Sequence, residues 1–256
     1  MYATTLPHRY ILGTRVDATS YADATNTILD WARARQSRYV CAANVHMVME
    51  SYDDIQFRRV VNSADMVTAD GLPLVWTLNR SGIAGATRVY GPDLMLRVCG
   101  AAEQQGLPVG FYGGAPEHMN DLIAFVLDRF PKLKVVFSCS PPTRDLTSGE
   151  DENMVHQINA SEARIVFVSL EGPGQECWMK AHKGRVRAVM LGVGTAFDFY
   201  SGRLRQAPFR ARRAGLAWFH RLIRDPKGLW RRHIYHNPRF VWLMGAQRLG
   251  RWRSPR

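Results

Sequence analysis

Short apolar runs, each about the length of a buried strand, alternate along this chain with segments whose apolar residues recur at helical spacing. The runs at residues 10–16, 38–43, 65–68, 108–112, 133–139, 164–170 and 186–193 read as strands. Between them, Ser20 caps a helix carrying Ala24, Ile28, Leu29 and Trp31 along one side, and further helices are expected at 46–61, 91–105, 116–130, 152–160 and 173–183. The segment 140–152 is polar and reads as a surface loop. Strands and helices alternating at this period predict an α/β fold, a mostly parallel sheet covered by helices on both faces. In such sheets ligands bind beyond the carboxyl ends of the strands.

Those ends are therefore where chemistry is sought. The stretch Ala64-Asp65-Met66-Val67-Thr68-Ala69-Asp70-Gly71-Leu72-Pro73 stops a short strand at an acid, follows it with a glycine, and places Pro73 where a helix opens. Asp70 either caps that helix or serves as a general base, with Gly71 letting a ligand approach. Asn44, Gly113-Gly114, Gly172 with Gln175, and Gly192-Val193-Gly194 follow other strands at the same edge. Arg88-Val89-Tyr90-Gly91-Pro92-Asp93 sets a cation and an acid around a helix start, either to receive a phosphate or as an Arg88–Asp93 pair with Asp93 as cap. Asp198, between Phe197 and Phe199, reads as a buried structural acid.

Several reaction classes are disfavoured. Gly192-Val193-Gly194-Thr195-Ala196-Phe197 begins like a dinucleotide fingerprint but has Phe197 in place of the third glycine. No Gly-x-x-x-x-Gly-Lys-Ser/Thr loop and no Gly-x-Ser-x-Gly elbow occurs. No metal is expected, since the histidines are scattered and Glu150-Asp151-Glu152 sits in a polar stretch. Cys41, Cys99, Cys139 and Cys177 are far apart and read as free thiols in a reducing compartment. The first residues lack a signal-peptide pattern, and no run approaches the ~18 apolar residues of a spanning helix.

Charge divides the chain unevenly. The net charge is +12, with +14 carried by residues 203–256 and −2 by the first 202. In that last fifth, arginines interleave with Trp218, Phe219, Trp230, Trp242 and Trp252, and helices are expected at 210–224, 227–235 and 240–249, separated near Pro226 and Pro238. A cationic, aromatic and amphipathic face suits an anionic membrane surface or phosphate groups. A nucleic-acid partner is not expected, because no recognisable reading module accompanies the basic tail. The expected organisation is a catalytic body over 1–202 and an arginine-rich helical appendage over 203–256. Exposed apolar surface on that appendage would favour self-association away from a bilayer.

In order along the chain, the blocks around Asn44, 64–71, Arg88–Met95, Phe111–Gly114, Pro173–Met179 and Gly192–Phe199, with Ala207-Pro208, Gly215–Trp218, Arg221-Leu222 and Asp225-Pro226, resemble the WecG/TagA/CpsF glycosyltransferases. That resemblance implies a Rossmann-like body and an inverting transfer from a UDP-sugar to a sugar on a polyprenyl diphosphate, without a cofactor. It places the protein peripherally on the cytoplasmic side of the inner membrane, in cell-surface polysaccharide synthesis. It assigns Asp70 as the base and puts Asn44, Gly71, Arg88, Asp93, Gly113, Gly114, Gln175, Gly192 and Gly194 around donor and acceptor. The family's arginines for the diphosphate fall on Arg221, Gly228 and Arg231. Arg224 and Arg232 each stand one turn from Gly228, so either is placed to substitute for the missing cation. The chain also departs from the family at Ala42, Gly174, Thr195 and Ala217, where Thr, Lys, Gly and Glu are common.

Overall fold

The computed structural model describes residues 6–83, 85–204 and 226–248, the last segment with side chains from 236 to 247. Among these residues the strands form one sheet, ordered β1-β2-β4-β3-β8-β7-β5-β6. Its members are β1 (His8–Ile11), β2 (Thr14–Asp17), β3 (Arg38–Ala43), β4 (Met66–Ala69), β5 (Val109–Gly113), β6 (Val135–Cys139), β7 (Ile165–Ser169) and β8 (Val189–Gly192). The β1–β2 pair is antiparallel and the other neighbours run parallel. The fold is the Rossmann-like α/β class read from the sequence.

Alternate residues of the central strands enter two cores. Tyr39, Cys41 and Ala43 of β3 and Val166 and Val168 of β7 pack on one side. That side is covered by α2 (Val45–Asp53), α3 (Ile55–Asn62), α4 (Leu72–Arg80), α7 (Ser148–Ala160), α8 (Gly174–His182) and α10 (Pro226–Arg248). Val40, Ile165 and Phe167 face the other core, under α1 (Tyr21–Arg33), α5 (Gly91–Gln105), α6 (Met119–Arg129) and α9 (Ala196–Tyr200). Burial on both faces explains why these strands read as continuous apolar runs.

Four expectations change in detail, each for a local reason. The run at 10–16 is a hairpin, because Leu12 and Gly13 adopt positive φ between β1 and β2. The helix expected over 46–61 is two helices, because the Asp54 carboxylate accepts from Gln56 and Phe57 N–H and starts α3 afresh. Helix α7 begins at Ser148, where Thr147 and Glu150 form a capping box, so Glu150 belongs to a helix start and pairs with Arg144. Helix α10 runs through Pro238, where a break was expected. Phe240 and Leu243 are buried against the body, at about 1.5–3 kcal/mol each, which offsets the roughly 3 kcal/mol cost of an interior proline. The helix expected at 210–224 lies outside the described residues.

Helix α10 docks along α2 and reaches the first hairpin. Arg239 makes two 2.6 Å contacts to the Asp53 carboxylate and lies over the Tyr52 ring. Gln247 accepts from Leu12 N–H at 3.1 Å and donates to the Tyr10 carbonyl at 3.0 Å. Among the described residues no helix is long and apolar enough to cross a membrane.

Candidate active site

The register of β3 on β4 pairs Ala43 with Ala69, so the next residues out, Asn44 and Asp70, leave the sheet side by side. The Asp70 N–H donates to the Ala43 carbonyl at 2.8 Å, which ties the two exits together. The Asn44 side-chain oxygen caps α2 by accepting from Met47 N–H at 3.1 Å. Gly71 is the residue before α4, with no side-chain cap and Pro73 in the first turn. Asp70 is therefore not the cap of that helix. A Cβ on Gly71 would lie 3.6 Å from the Asn44 Cα, an ordinary contact, so the two strand exits are neighbours.

Arg88 reaches this point because Val89 N–H donates to the Ala69 carbonyl at 2.9 Å, laying residues 88–90 beside the end of β4. Its guanidinium donates from Nη2 to the Asp70 carboxylate at 3.2 Å and from Nε to the Asp70 backbone carbonyl. Its central carbon also stands 4.7 Å from the Tyr90 ring centroid. The cation sequence reasoning associated with Asp93 thus pairs with Asp70. Asp93 accepts instead from the Tyr21 hydroxyl at 3.5 Å, and that hydroxyl oxygen accepts from Tyr90 N–H at 3.1 Å. Burial, opposed by the Tyr90 contact and reinforced by the charge of Asp93, leaves the Tyr21 phenol pushed up to about 12. Tyr21 therefore stays neutral and pins the start of α5. No motif marked it, because it stands in the first turn of a different helix.

The other strand ends line up along the same edge. Gly113, at φ 109°, has no room for a side chain, since a Cβ would lie 2.1 Å from the Ser169 carbonyl oxygen. Gly114 N–H donates to that same oxygen at 2.8 Å. A Cβ on Gly192 would meet the Gln175 amide nitrogen at 2.6 Å. Gln175 is 6% exposed and Glu176 2%, and the Gln175 amide is engaged at both ends. Its nitrogen donates to Glu176 at 2.7 Å, and its oxygen accepts from Gly194 N–H at 3.0 Å. Glu176 is a buried acid that sequence reasoning passed over. Desolvation, opposed by the Gln175 bond and raised further by Glu50, moves its carboxyl up to about 7.

Asp198 is half-buried, pairs with Arg203 at 2.8 Å, and borders a small hollow beside Gly114, Phe197 and His118. Of the expected diphosphate arginines, Arg221 and Arg224 lie outside the described residues. Arg231 and Arg232 fall in the first half of α10, of which only the backbone is described. Among the described residues no three His, Cys, Asp or Glu side chains converge as a metal set. Cys41 and Cys99 are buried and all four cysteines are free thiols.

The model of the Glycosyl transferase WecG/TagA/CpsF family matches residues 9–254. The chain belongs to this family. A relative from Bacillus spizizenii (strain ATCC 23059 / NRRL B-14472 / W23), named N-acetylglucosaminyldiphosphoundecaprenol N-acetyl-beta-D-mannosaminyltransferase, is 30% identical over 199 residues. The match covers 77% of this chain and 74% of that protein. Membership of the WecG/TagA/CpsF family makes the chain a glycosyltransferase, and the strand-end edge carrying Asp70 and Arg88 is its candidate active site.

Proposed function

We propose that the chain transfers an N-acetylmannosamine-type sugar from a UDP-sugar to a polyprenyl-diphosphate-linked N-acetylglucosamine, with inversion at the anomeric carbon. The observation that carries this reading is the Asp70 carboxylate, 14% exposed and held by Arg88, at the carboxyl edge of a parallel sheet. The relative's name supplies the sugar and acceptor class. In the reaction an acceptor hydroxyl oxygen attacks the anomeric carbon, and Asp70 takes the hydroxyl proton as the new C–O bond forms. The bond from the anomeric carbon to the β-phosphate oxygen breaks, and UDP leaves with that electron pair. Arg88 holds the base in place from two directions, so the carboxylate meets the attacking oxygen without reorganising.

The departing nucleotide carries charge that cations must meet. Residues 203–256 contribute +14, and Arg221, Arg224, Arg231 and Arg232 are the groups we assign to the diphosphates and to anionic lipid. In this reading residues 1–202 form the catalytic body and 203–256 a peripheral membrane appendage. Helix α10 brings part of the appendage close to the site, because its docked half lies on α2, which starts at the Asn44 exit. The deciding experiment offers a panel of UDP-sugars with short prenyl diphosphate-linked N-acetylglucosamine and follows UDP release. Release with UDP-N-acetylmannosamine, dependent on the acceptor, is the expected result; acceptor-dependent release with another nucleotide only would overturn the donor.

A further inference from the structure

Both ends of the Gln175 amide are engaged within the protein. Its oxygen holds Gly194 N–H and its nitrogen is held by Glu176. An amide can satisfy Gly194 only when its oxygen, and not its NH2, faces that N–H. The Glu176 carboxyl oxygen decides this, because it accepts from the nitrogen end and so fixes which way the amide points. The far side of the Gly194 peptide is held as well, since the Ser169 hydroxyl donates to the Gly194 carbonyl at 2.5 Å. The turn after β8 is thus gripped at both its N–H and its C=O.

That turn touches the machinery around Asp70. A Cβ on Gly91 would lie 3.5 Å from the Val193 carbonyl oxygen, so the turn's backbone packs directly on the start of α5. Gly91 follows Arg88–Tyr90, the segment that presents the guanidinium to Asp70. Burying an acid at 2% exposure costs stability, and a core formed only for packing would place an apolar side chain there.

We infer that Glu176 is a positioning residue for glycosyl transfer: it orients the Gln175 amide, which sets the Gly194 turn against the α5 start and thereby holds Arg88 on Asp70. The inference rests on the transfer reaction proposed above for its kinetic consequence, and on the hydrogen bonds alone for its structural one.

The test compares Glu176→Leu, which removes the acceptor at similar volume, with Glu176→Gln, which keeps an oxygen for the Gln175 amide. Turnover is read by acceptor-dependent UDP release, the turn by hydrogen exchange of the Gly194 amide, and folding by the thermal midpoint at pH 8. Glu176→Leu is expected to lose at least tenfold in kcat, with donor KM within threefold. Its Gly194 exchange should quicken at least tenfold and its midpoint stay level or rise. Glu176→Gln should recover most of the kcat and the exchange protection. Gln175→Met, which leaves the acid in place, should reproduce the Glu176→Leu losses. Unchanged kcat and exchange in Glu176→Leu would overturn the inference, as would equal losses in Glu176→Gln or a kcat loss tracking a falling midpoint. If the wild-type protein releases no UDP from any donor, the reaction reading fails while the exchange comparison still decides the relay.

Discussion

The ring of His236 in α10 lies 5.2 Å from the ring of His46 in the first turn of α2, tilted at 59°. His46 also pairs with Glu50 at 3.1 Å, and Arg239 holds Asp53 one turn further along α10. The C-terminal helix is therefore clamped two residues beyond Asn44, at the mouth of the candidate site. Burial, followed by the His46 charge, lowers the His236 pKa from its ordinary 6.5, with Asp53 and Glu50 opposing and Arg239 adding to the shift.

The sign of that shift predicts an acid-sensitive dock. With a lowered folded pKa, the unfolded form binds the proton more readily. The His236 contribution is then complete above pH ~6.5 and declines as pH falls below it. Hydrogen exchange over residues 236–247, corrected for intrinsic rates, should show less protection at pH 5.5 than at 7.5. Replacing His236 by Phe should flatten that difference; a persisting slope would locate the titration elsewhere.

Asp70→Asn keeps the size of the side chain and removes the base. Turnover should fall by about 10²–10⁴-fold, with the thermal midpoint within a few degrees of wild type. UDP release in the presence of acceptor measures it, and a loss smaller than tenfold would remove Asp70 from that role.

Glu176 gives a pH prediction of opposite direction to His236. Its carboxyl sits up at about 7, mainly through desolvation, against an ordinary 4.5, so the folded state holds the proton more tightly than the unfolded one. Stability from this group is intact below pH ~4.5, is lost as pH rises toward 7, and levels off above that, a loss of roughly 3 kcal/mol. Denaturant titrations of wild type and Glu176→Gln should therefore diverge in favour of the variant between pH 5 and 8. Glu50 and His46 face the same group and are held constant in that comparison.

Gly113→Ala should be among the most damaging single-methyl changes in the body. The added carbon would stand 2.1 Å from the Ser169 carbonyl oxygen, at a φ of 109° that L-residues avoid. A loss of more than about 3 kcal/mol, or failure to fold, is expected by urea titration.

Changing Arg221, Arg224, Arg231 and Arg232 together to Gln should weaken sedimentation with anionic vesicles. Each residue near the surface is worth about 1 kcal/mol, so several orders of magnitude are at stake at low salt. Vesicles of neutral lipid provide the contrast. Equal binding to both vesicle types by wild type would place the arginines on another partner.

The sheet was legible from the sequence because buried parallel strands announce themselves as apolar runs, and several strand ends carried a polar residue or a glycine. Asp70 stood out for that reason, with capping as the alternative reading of the stretch, and Gly71 precedes α4 without a side-chain cap. Relations between distant segments were not legible. Arg88 was associated with Asp93, five residues on, and the structure pairs it with Asp70 through the backbone contact of Val89 to Ala69. His46 and His236 are separated by most of the chain, and nothing in either neighbourhood signals the other. Glu176 was not singled out, because its neighbours come from distant segments: Cys41 of β3 and Glu50 and His46 of α2 lie close enough to act on its charge. Pro238 misled in the other direction, since tertiary packing by Phe240 and Leu243 outweighs a local helix breaker.

The clamp on α10 has a mechanical corollary. The helix carries 23 residues; those from 236 to 247 hold α2 and the hairpin, and the backbone before them extends the same rod by roughly 15 Å. His236 and Arg239 join this helix to the body. On the proposed function, a flat surface that captured the rod would also fix the azimuth at which Asp70 looks out, turning a three-dimensional search for a lipid-borne alcohol into a planar one.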